Sequence, residues 1–390
     1  MMDPAEDTVA QPAEDPAVYG ASITLIGGPF HGEDLWLGGE LGADGNIYGV
    51  PGTGKTVLKI DPRTDMVTEF GNLRGLKYMS SIARGKFKWL RGARAPNGDF
   101  FGIPSNANVV LRLNRVGEIS TIGDPEILKG HWKWHGAVLA GNGNLYGCPC
   151  NAERILKIVP GTGEVSLICG PFPGQQKWYG AVVGHDGCVY CIPNNAPHVL
   201  KFDPVTETAE LLGDLPQGGW KWHGAATGGD GAIYGVPAQA TSVLKIVPGT
   251  GEVRTIGGPL PQGKYKWGGA TRAANGDVFC FPSDAAQVLR IAMGVPDDRQ
   301  VGLVGPVFPT TPNNKWQNGF LGRDNAIYGL PCNAEAVLRI SEAGEVTTVG
   351  GPWPGKEKWE GGVMAESGVI YAMPQQARAV LRIDPGPVPG

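Results

Sequence analysis

Apolar positions along the chain come in short runs, and the runs come in fours. Residues 133–174 carry the clearest case, in which a Trp opens the stretch and four runs follow at 136–140, 144–148, 154–159 and 164–169. The runs are rich in Val, Ile, Leu and Tyr and are separated by Gly-Asn, Pro and Pro-Gly-Thr-Gly segments. Short β-branched and aromatic runs punctuated in this way are strands joined by tight turns. None has the length or the 3.6-residue period of a helix. The same order recurs from Lys177, Lys221, Lys266, Lys315 and Lys358, and more loosely from Lys88 and Leu35.

The opening indoles are Trp36, Trp89, Trp134, Trp178, Trp222, Trp267, Trp316 and Trp359, at spacings of 53, 45, 44, 44, 45, 49 and 43 residues. A repeat of this period constrains every motif inside it. Four antiparallel strands repeated eight times predict an all-β, eight-bladed β-propeller. The last unit stops after its third strand, at 381–384, while the chain begins with a strand-like run at 22–28 that matches a fourth strand, 253–258. The N-terminal strand is therefore expected to complete the last blade and remove an open sheet edge. Residues 21–390 read as this single ring. Residues 1–20, acidic and rich in Pro and Ala, read as a disordered leader. Insertions at 74–87 and 293–302 read as rim loops.

Connectivity also assigns faces. In a four-stranded meander the start of strand one and the end of strand two share an edge. The Lys-Trp segments and the loops after Tyr-Gly-x-Pro therefore lie on one face, and the hairpins on the other.

Composition changes little. The 62 Gly and 33 Pro make about a quarter of the 390 residues, and their fixed offsets mark turns. A formal charge of −4 gives no pull toward nucleic acid. No apolar stretch approaches the roughly 18 residues of a membrane span. The seven cysteines fall at positions filled elsewhere by Gly, Val or Asn, and read as free thiols in a reducing, intracellular and soluble setting.

Candidate chemistry sits on the Lys-Trp face. Residues 49–56 satisfy the GxxxxGK[ST] phosphate-loop pattern, but 57–60 align with strand three of other units, so the helix that such a loop requires has no place. Seven lysines (88, 133, 177, 221, 266, 315 and 358) precede the opening Trp, and an amide or acid recurs after the Pro: Asn106, Asn151, Asn195, Gln239, Asp284, Asn333 and Gln376. Two readings fit. A cationic rim of indoles and amides would bind an anion or a sugar. Alternatively, each Trp packs between blades under its Lys stem, and the amides hold tight loops.

Positions that break the repeat point more directly to function. The residue after the Trp is Leu37, Leu90, His135, Tyr179, His223, Gly268, Gln317 and Glu360 around the ring, at the expected mouth of the central channel. His135, Tyr179, His223 and Glu360 could assemble an acid–base or metal site. Cys188 and Cys191 resemble a CxxC pair, but residues three apart on a strand point to opposite faces. The basic residue of strand three, from Lys59 to Arg382, reads as an outer position paired with strand-four acids such as Glu164 and Glu252.

The repeat [N/G]-x-[I/L]-Y-G-x-P-x-[N/Q]-A-x-x-V-L-[K/R]-I-[D/V]-P resembles NHL-like and virginiamycin B lyase-like propellers. In its Trp and Tyr-Gly positions it resembles tectonin-type lectin propellers. The resemblance implies the fold and carries no catalytic residue across. The sequence thus predicts a non-catalytic binding or scaffolding module with no cofactor, using the Lys-Trp face for a protein or anionic partner. Its expected contacts are Lys133, Trp134, His135, Asn151, Lys177, Trp178, Tyr179, Asn195, Lys221, Trp222, His223, Gln239 and Glu360. Alternatives are a multivalent lectin binding glycan between blades, and a metal-assisted lyase or hydrolase at the channel mouth.

Overall fold

A computed structural model describes residues 13–77 and 85–388. Eight four-stranded antiparallel sheets are arranged around a central axis, each in simple meander order except the last. The last sheet runs Trp359–Met364, Ile370–Pro374 and Val380–Asp384, and Ser22–Ile26 joins it as the fourth strand. Ser22 pairs with Asp384 and Ile26 with Val380, so the first strand closes the ring. Tyr371 of blade 8 reinforces the closure by donating to Asp65 of blade 1 at 2.7 Å, and Arg382 pairs with the same carboxylate at 3.0 Å.

The repeated Trp explains why the blades stack. All eight opening indoles are at most 3% exposed. Each donates its Nε1 proton to the carbonyl 20 residues on, from Trp36 to Thr56 through Trp359 to Ala379, at 2.8–3.0 Å. A buried indole with its N–H satisfied contributes its full apolar area to the interblade core. At the opposite face, Tyr48, Tyr190, Tyr234 and Tyr328 donate to the Asp four residues earlier in the hairpin, at 2.7–2.9 Å.

Several sequence expectations change. Residues 1–12 of the expected leader lie outside the described residues, as do 78–84 of the first insertion. Residues 13–20 are seated on blade 7. The Glu14 N–H donates to the Thr348 carbonyl and the Glu14 carbonyl accepts from the Gly350 N–H, Pro16–Tyr19 form a 3-10 turn, and the Arg339 guanidinium lies 3.9 Å from the Tyr19 ring centroid. The insertion at 293–302 clasps its neighbour, where Asp297 binds Lys245 at 3.0 Å and Arg254 at 2.8 Å in blade 5. The strand-three cations mostly meet acids in turns rather than on strand four, as in Arg112–Asp99, Arg290–Asp277 and Lys157–Glu207. Only Lys201–Glu210 among the described pairs has the expected geometry. After the phosphate-loop pattern comes strand Val57–Asp61, not a helix.

The cysteines need one correction. Cys148 of blade 3 and Cys191 of blade 4 form a disulfide across the two second strands, with Cα atoms 5.8 Å apart. The two strands belong to neighbouring blades, so units 43 residues apart in sequence meet in the core between them. Cys150, Cys169, Cys188, Cys280 and Cys332 remain thiols. The intracellular reading rested on unpaired cysteines and loses that ground. Among the described residues, no helix is long and apolar enough to cross a membrane.

Candidate functional site at the channel mouth

The lysines of the Lys-Trp segments do not form a cationic rim. All seven are 1–4% exposed. Lys133 Nζ donates to the carbonyls of Ser105, Ala107 and Gly130 at 2.8–2.9 Å, and Lys177 makes the matching three bonds to Cys150, Ala152 and Gly174. Most of these carbonyls belong to the preceding blade, so each ammonium bolts two blades together while its Nζ lies about 5.9 Å from its own Trp ring. Burial pushes Lys133 down to about 7 and Lys88, Lys221 and Lys266 to about 8. The second of the two sequence readings, interblade packing, describes these residues.

The amide row serves the same joints. Asn106, Asn151 and Asn195 accept the backbone N–H of Trp132, Gln176 and Trp220 in the next blade at 2.7–2.8 Å. Asp284 and Asn333 do so for Asn314 and Glu357. Gln239 anchors its loop through its own N–H, which donates to the Trp220 carbonyl. Lys133, Trp134, Asn151, Lys177, Trp178, Asn195, Lys221 and Trp222 are thus committed to joints between blades, while Gln239 makes only backbone bonds within its own blade.

The residues held by this row form a second ring that the sequence reading missed. Asp34, Phe87, Trp132, Gln176, Trp220, Tyr265, Asn314 and Glu357 stand immediately before the Lys-Trp (Leu-Trp in blade 1), and all eight have φ between 44° and 59°. Asp and Asn tolerate this left-handed region, whereas a bulky aromatic there costs on the order of 1 kcal/mol or more. Blades 2, 3, 5 and 6 nevertheless place Phe, Trp, Trp and Tyr in it. The signal was available: this column mixes aromatic and polar residues beside a nearly invariant Lys-Trp.

Bulges aim the next set of side chains. In blade 4, Trp178 pairs with Pro193 and Ala181 with Cys191, so the first strand carries one extra residue between them. Blade 5 repeats this between Trp222 and Ala225. Gly180 and Gly224 absorb the kink at φ of 82° and 77°. Such a bulge turns the residue after the Trp out of the ladder, here into the channel. His135, Tyr179 and His223 consequently meet from three blades, with ring centroids 4.3 Å and 3.7 Å apart. Trp132 extends the array at 5.4 Å from His135, and Phe87 lies 4.9 Å beyond it. Trp220 and Tyr265 form a separate edge-to-face pair at 5.3 Å.

These rings wall a cavity of about 440 Å³ at the channel mouth, with Leu37, Leu90, Arg91, Gln176, Asn194 and Glu360 completing the lining. A second void of about 400 Å³ lies along the inner strands and shares Arg91, His135, Tyr179 and His223. The three-ring stack is the common wall. Of the sequence-expected contacts, His135, Tyr179, His223 and Glu360 line the mouth together. Among the described residues, no three of His, Cys, Asp and Glu group as metal ligands.

The polar atoms of the cavity are unusual. Asn194 is fully buried, and neither its Oδ1 nor its Nδ2 has a hydrogen-bond partner; both ring nitrogens of His135 are in the same condition. A buried polar group without a partner costs about 1–3 kcal/mol. Burial pushes both His135 and His223 down to about 3, helped in His135 by the charge of His223 and in both by Arg91, so both are neutral imidazoles at neutral pH. Burial also raises Glu360 and Tyr179. Cys150, beside them, is pushed up to about 11 and is an inert thiol.

The two histidines set a pH dependence. Their folded pKa lies below the unfolded value near 6.5, so the unfolded chain binds more protons between about pH 6.5 and 3. The stabilisation is whole above 6.5 and drains away as pH falls through that window. At pH 5 the linkage amounts to about 1–2 kcal/mol per histidine. The denaturation midpoint should therefore drop more between pH 7.5 and 5 in the natural chain than in a His135→Phe/His223→Phe variant. Equal drops would show that neither ring is held neutral.

Comparison with known proteins finds no family model and no curated protein that matches the sequence. Solved structures do match. A streptogramin B lyase aligns with a TM-score of 0.58 at 14% identity, covering 94% of this chain and 98% of the other. The virginiamycin B lyase of Staphylococcus aureus aligns with a TM-score of 0.59 at 15% identity, over 75% of this chain and 93% of the other. The extracellular domain of a two-component system from Bacteroides thetaiotaomicron gives 0.52 at 8% identity, over 88% and 50%. At these identities the likeness is one of fold: the chain is an eight-bladed β-propeller, and its structural neighbours include virginiamycin B lyase-like propellers.

Proposed function

We propose that this propeller is a non-catalytic binding module whose ligand enters the channel-mouth cavity with an apolar or aromatic ring. The observation that carries the reading is the ring of left-handed residues. Four are bulky aromatics in a conformation that costs them, and of the four polar residues only Asp34 and Asn314 are of types that tolerate it. Interblade packing alone asks for equal residues at equal positions, as the Trp and Lys columns illustrate. Aromatics paired as Phe87–Trp132 and Trp220–Tyr265 on either side of Gln176, above buried polar atoms without partners, are what a ligand site requires.

A cavity of about 440 Å³ suits a drug-sized molecule or one large side chain of a partner. An anionic partner held by the lysines loses its support, because their ammonium groups are spent on carbonyls. Equivalent lectin sites between blades lose theirs, because the repeated indoles are buried. The metal-assisted alternative lacks a donor set among the described residues.

The test is a ligand-observed NMR screen of aromatic and aliphatic ring fragments against the full chain. Aromatic fragments should bind, and Trp220→Ala should weaken them at least tenfold while leaving the melting temperature within a few degrees. An absence of hits, or hits indifferent to Trp220→Ala, would remove the reading.

A further inference from the structure

Resting on that reading, we propose that the cavity selects a planar ring with an amide edge, a hydrogen-bond donor beside an acceptor, as in a lactam, an imide or a pyrimidine base. Asn194 carries the argument. It is the residue directly after the strand-two Pro, a column otherwise filled by Gly52, Ser105, Cys150, Ala238, Ser283, Cys332 and Gln375. Most of these are small, and Cys150 and Cys332 are buried thiols with no demand for partners. Asn194 alone in this column brings both a free donor and a free acceptor to the cavity lining, in one rigid plane.

A side-chain amide in that condition is complementary to another amide. Its oxygen accepts one N–H while its nitrogen donates to one carbonyl, both in the plane of the ring they recognise. His135 adds to the same selectivity. As a neutral imidazole it offers one donor and one acceptor, and both of its nitrogens are free. The aromatic side of the mouth supplies faces on which a flat ring can stack. A saturated sugar presents hydroxyls around its whole perimeter and needs polar partners on all sides. Here Phe87, Trp132, Trp220 and Tyr265 take up much of that perimeter with apolar rings.

The experiment compares two probes that differ only at the edge. Uracil keeps the amide edges, and 1,3-dimethyluracil keeps the ring but blocks its donors; methyl glucoside serves as a saturated control. Binding to the full chain is read by tryptophan fluorescence, since Trp132 and Trp220 line the cavity. Uracil should bind at least tenfold more tightly than its dimethyl form, and methyl glucoside should give no saturable change. Asn194→Leu should abolish the preference, leaving uracil and dimethyluracil with equal affinity. Equal affinity for the two pyrimidines in the natural chain would overturn the inference, and that comparison needs no variant to fold. If both pyrimidines bind equally while aromatic fragments still depend on Trp220, only the edge selectivity falls. If nothing aromatic binds, the proposed function falls with it.

Discussion

A chain lacking residues 1–28 is expected to lose most of its stability, although it loses only one of the thirty-two strands among the described residues. The strand Ser22–Ile26 supplies five paired positions to Val380–Asp384; Ile23 packs into the joint between blades 7 and 8 and Ile26 into that between blades 8 and 1. The ladder bonds contribute about 1 kcal/mol each and the two isoleucines about 1–2 kcal/mol each. The sum, roughly 5–8 kcal/mol, is comparable with the whole net stability of a typical domain. Loss of this strand also leaves Val380–Asp384 as an unpaired edge open to association. Thermal denaturation followed by circular dichroism should show a fall of well over 10 °C, accompanied by concentration-dependent association. The double substitution Thr24→Pro/Leu25→Pro should reproduce the effect in the full-length chain, because Pro cannot donate to the ladder. A truncated chain melting within a few degrees of the parent would mean that the ring is not closed by this strand.

Lys133→Met is expected to destabilise the fold by about 3–5 kcal/mol, a cost that no surface lysine would carry. The methionine fills much of the same volume and spares the charge its burial, which taken alone favours the variant. Against this, the carbonyls of Ala107 and Gly130 lose the donor that satisfies them in a dry joint, and that of Ser105 keeps only the Lys133 backbone N–H. These lost bonds outweigh the relief of one buried charge. Lys133→Arg should not rescue the fold, since a planar guanidinium cannot direct three N–H bonds into a cage shaped for an ammonium. Urea denaturation at neutral pH reads both variants. A midpoint unchanged in Lys133→Met would return the lysine to the solvent-facing rim that the sequence first suggested.

These two effects mark where reading the chain succeeded and where it stopped. The blades, their strand order, the closing strand and the division into two faces follow from periodicity and turn chemistry, which are local properties. A Trp every 44 residues or so, followed by runs split by Gly, Asn and Pro, leaves few other architectures. The same logic separated the phosphate-loop pattern from its usual meaning, because Val57–Asp61 had to be a strand. It also placed His135, Tyr179, His223 and Glu360 at one mouth, since equal offsets in equal wedges converge on the axis.

What periodicity could not decide was which neighbours each side chain meets across a blade boundary. Lys133 is polar in the sequence and buried in the fold because the loop of the preceding blade surrounds it with carbonyls. Cys148 and Cys191 lie 43 residues apart, yet their strands are adjacent around the channel and their sulfurs bond. The column of Phe87, Trp132, Trp220 and Tyr265 shares a left-handed backbone that no local pattern states. Asn194 stands beside Asn195 in the chain, and only packing leaves its amide without a partner. Sequence alone determined the ring, because strands and turns are written within each repeat; only the tertiary structure decided the site, because burial and partnership arise between repeats, where one blade's backbone becomes the next blade's environment.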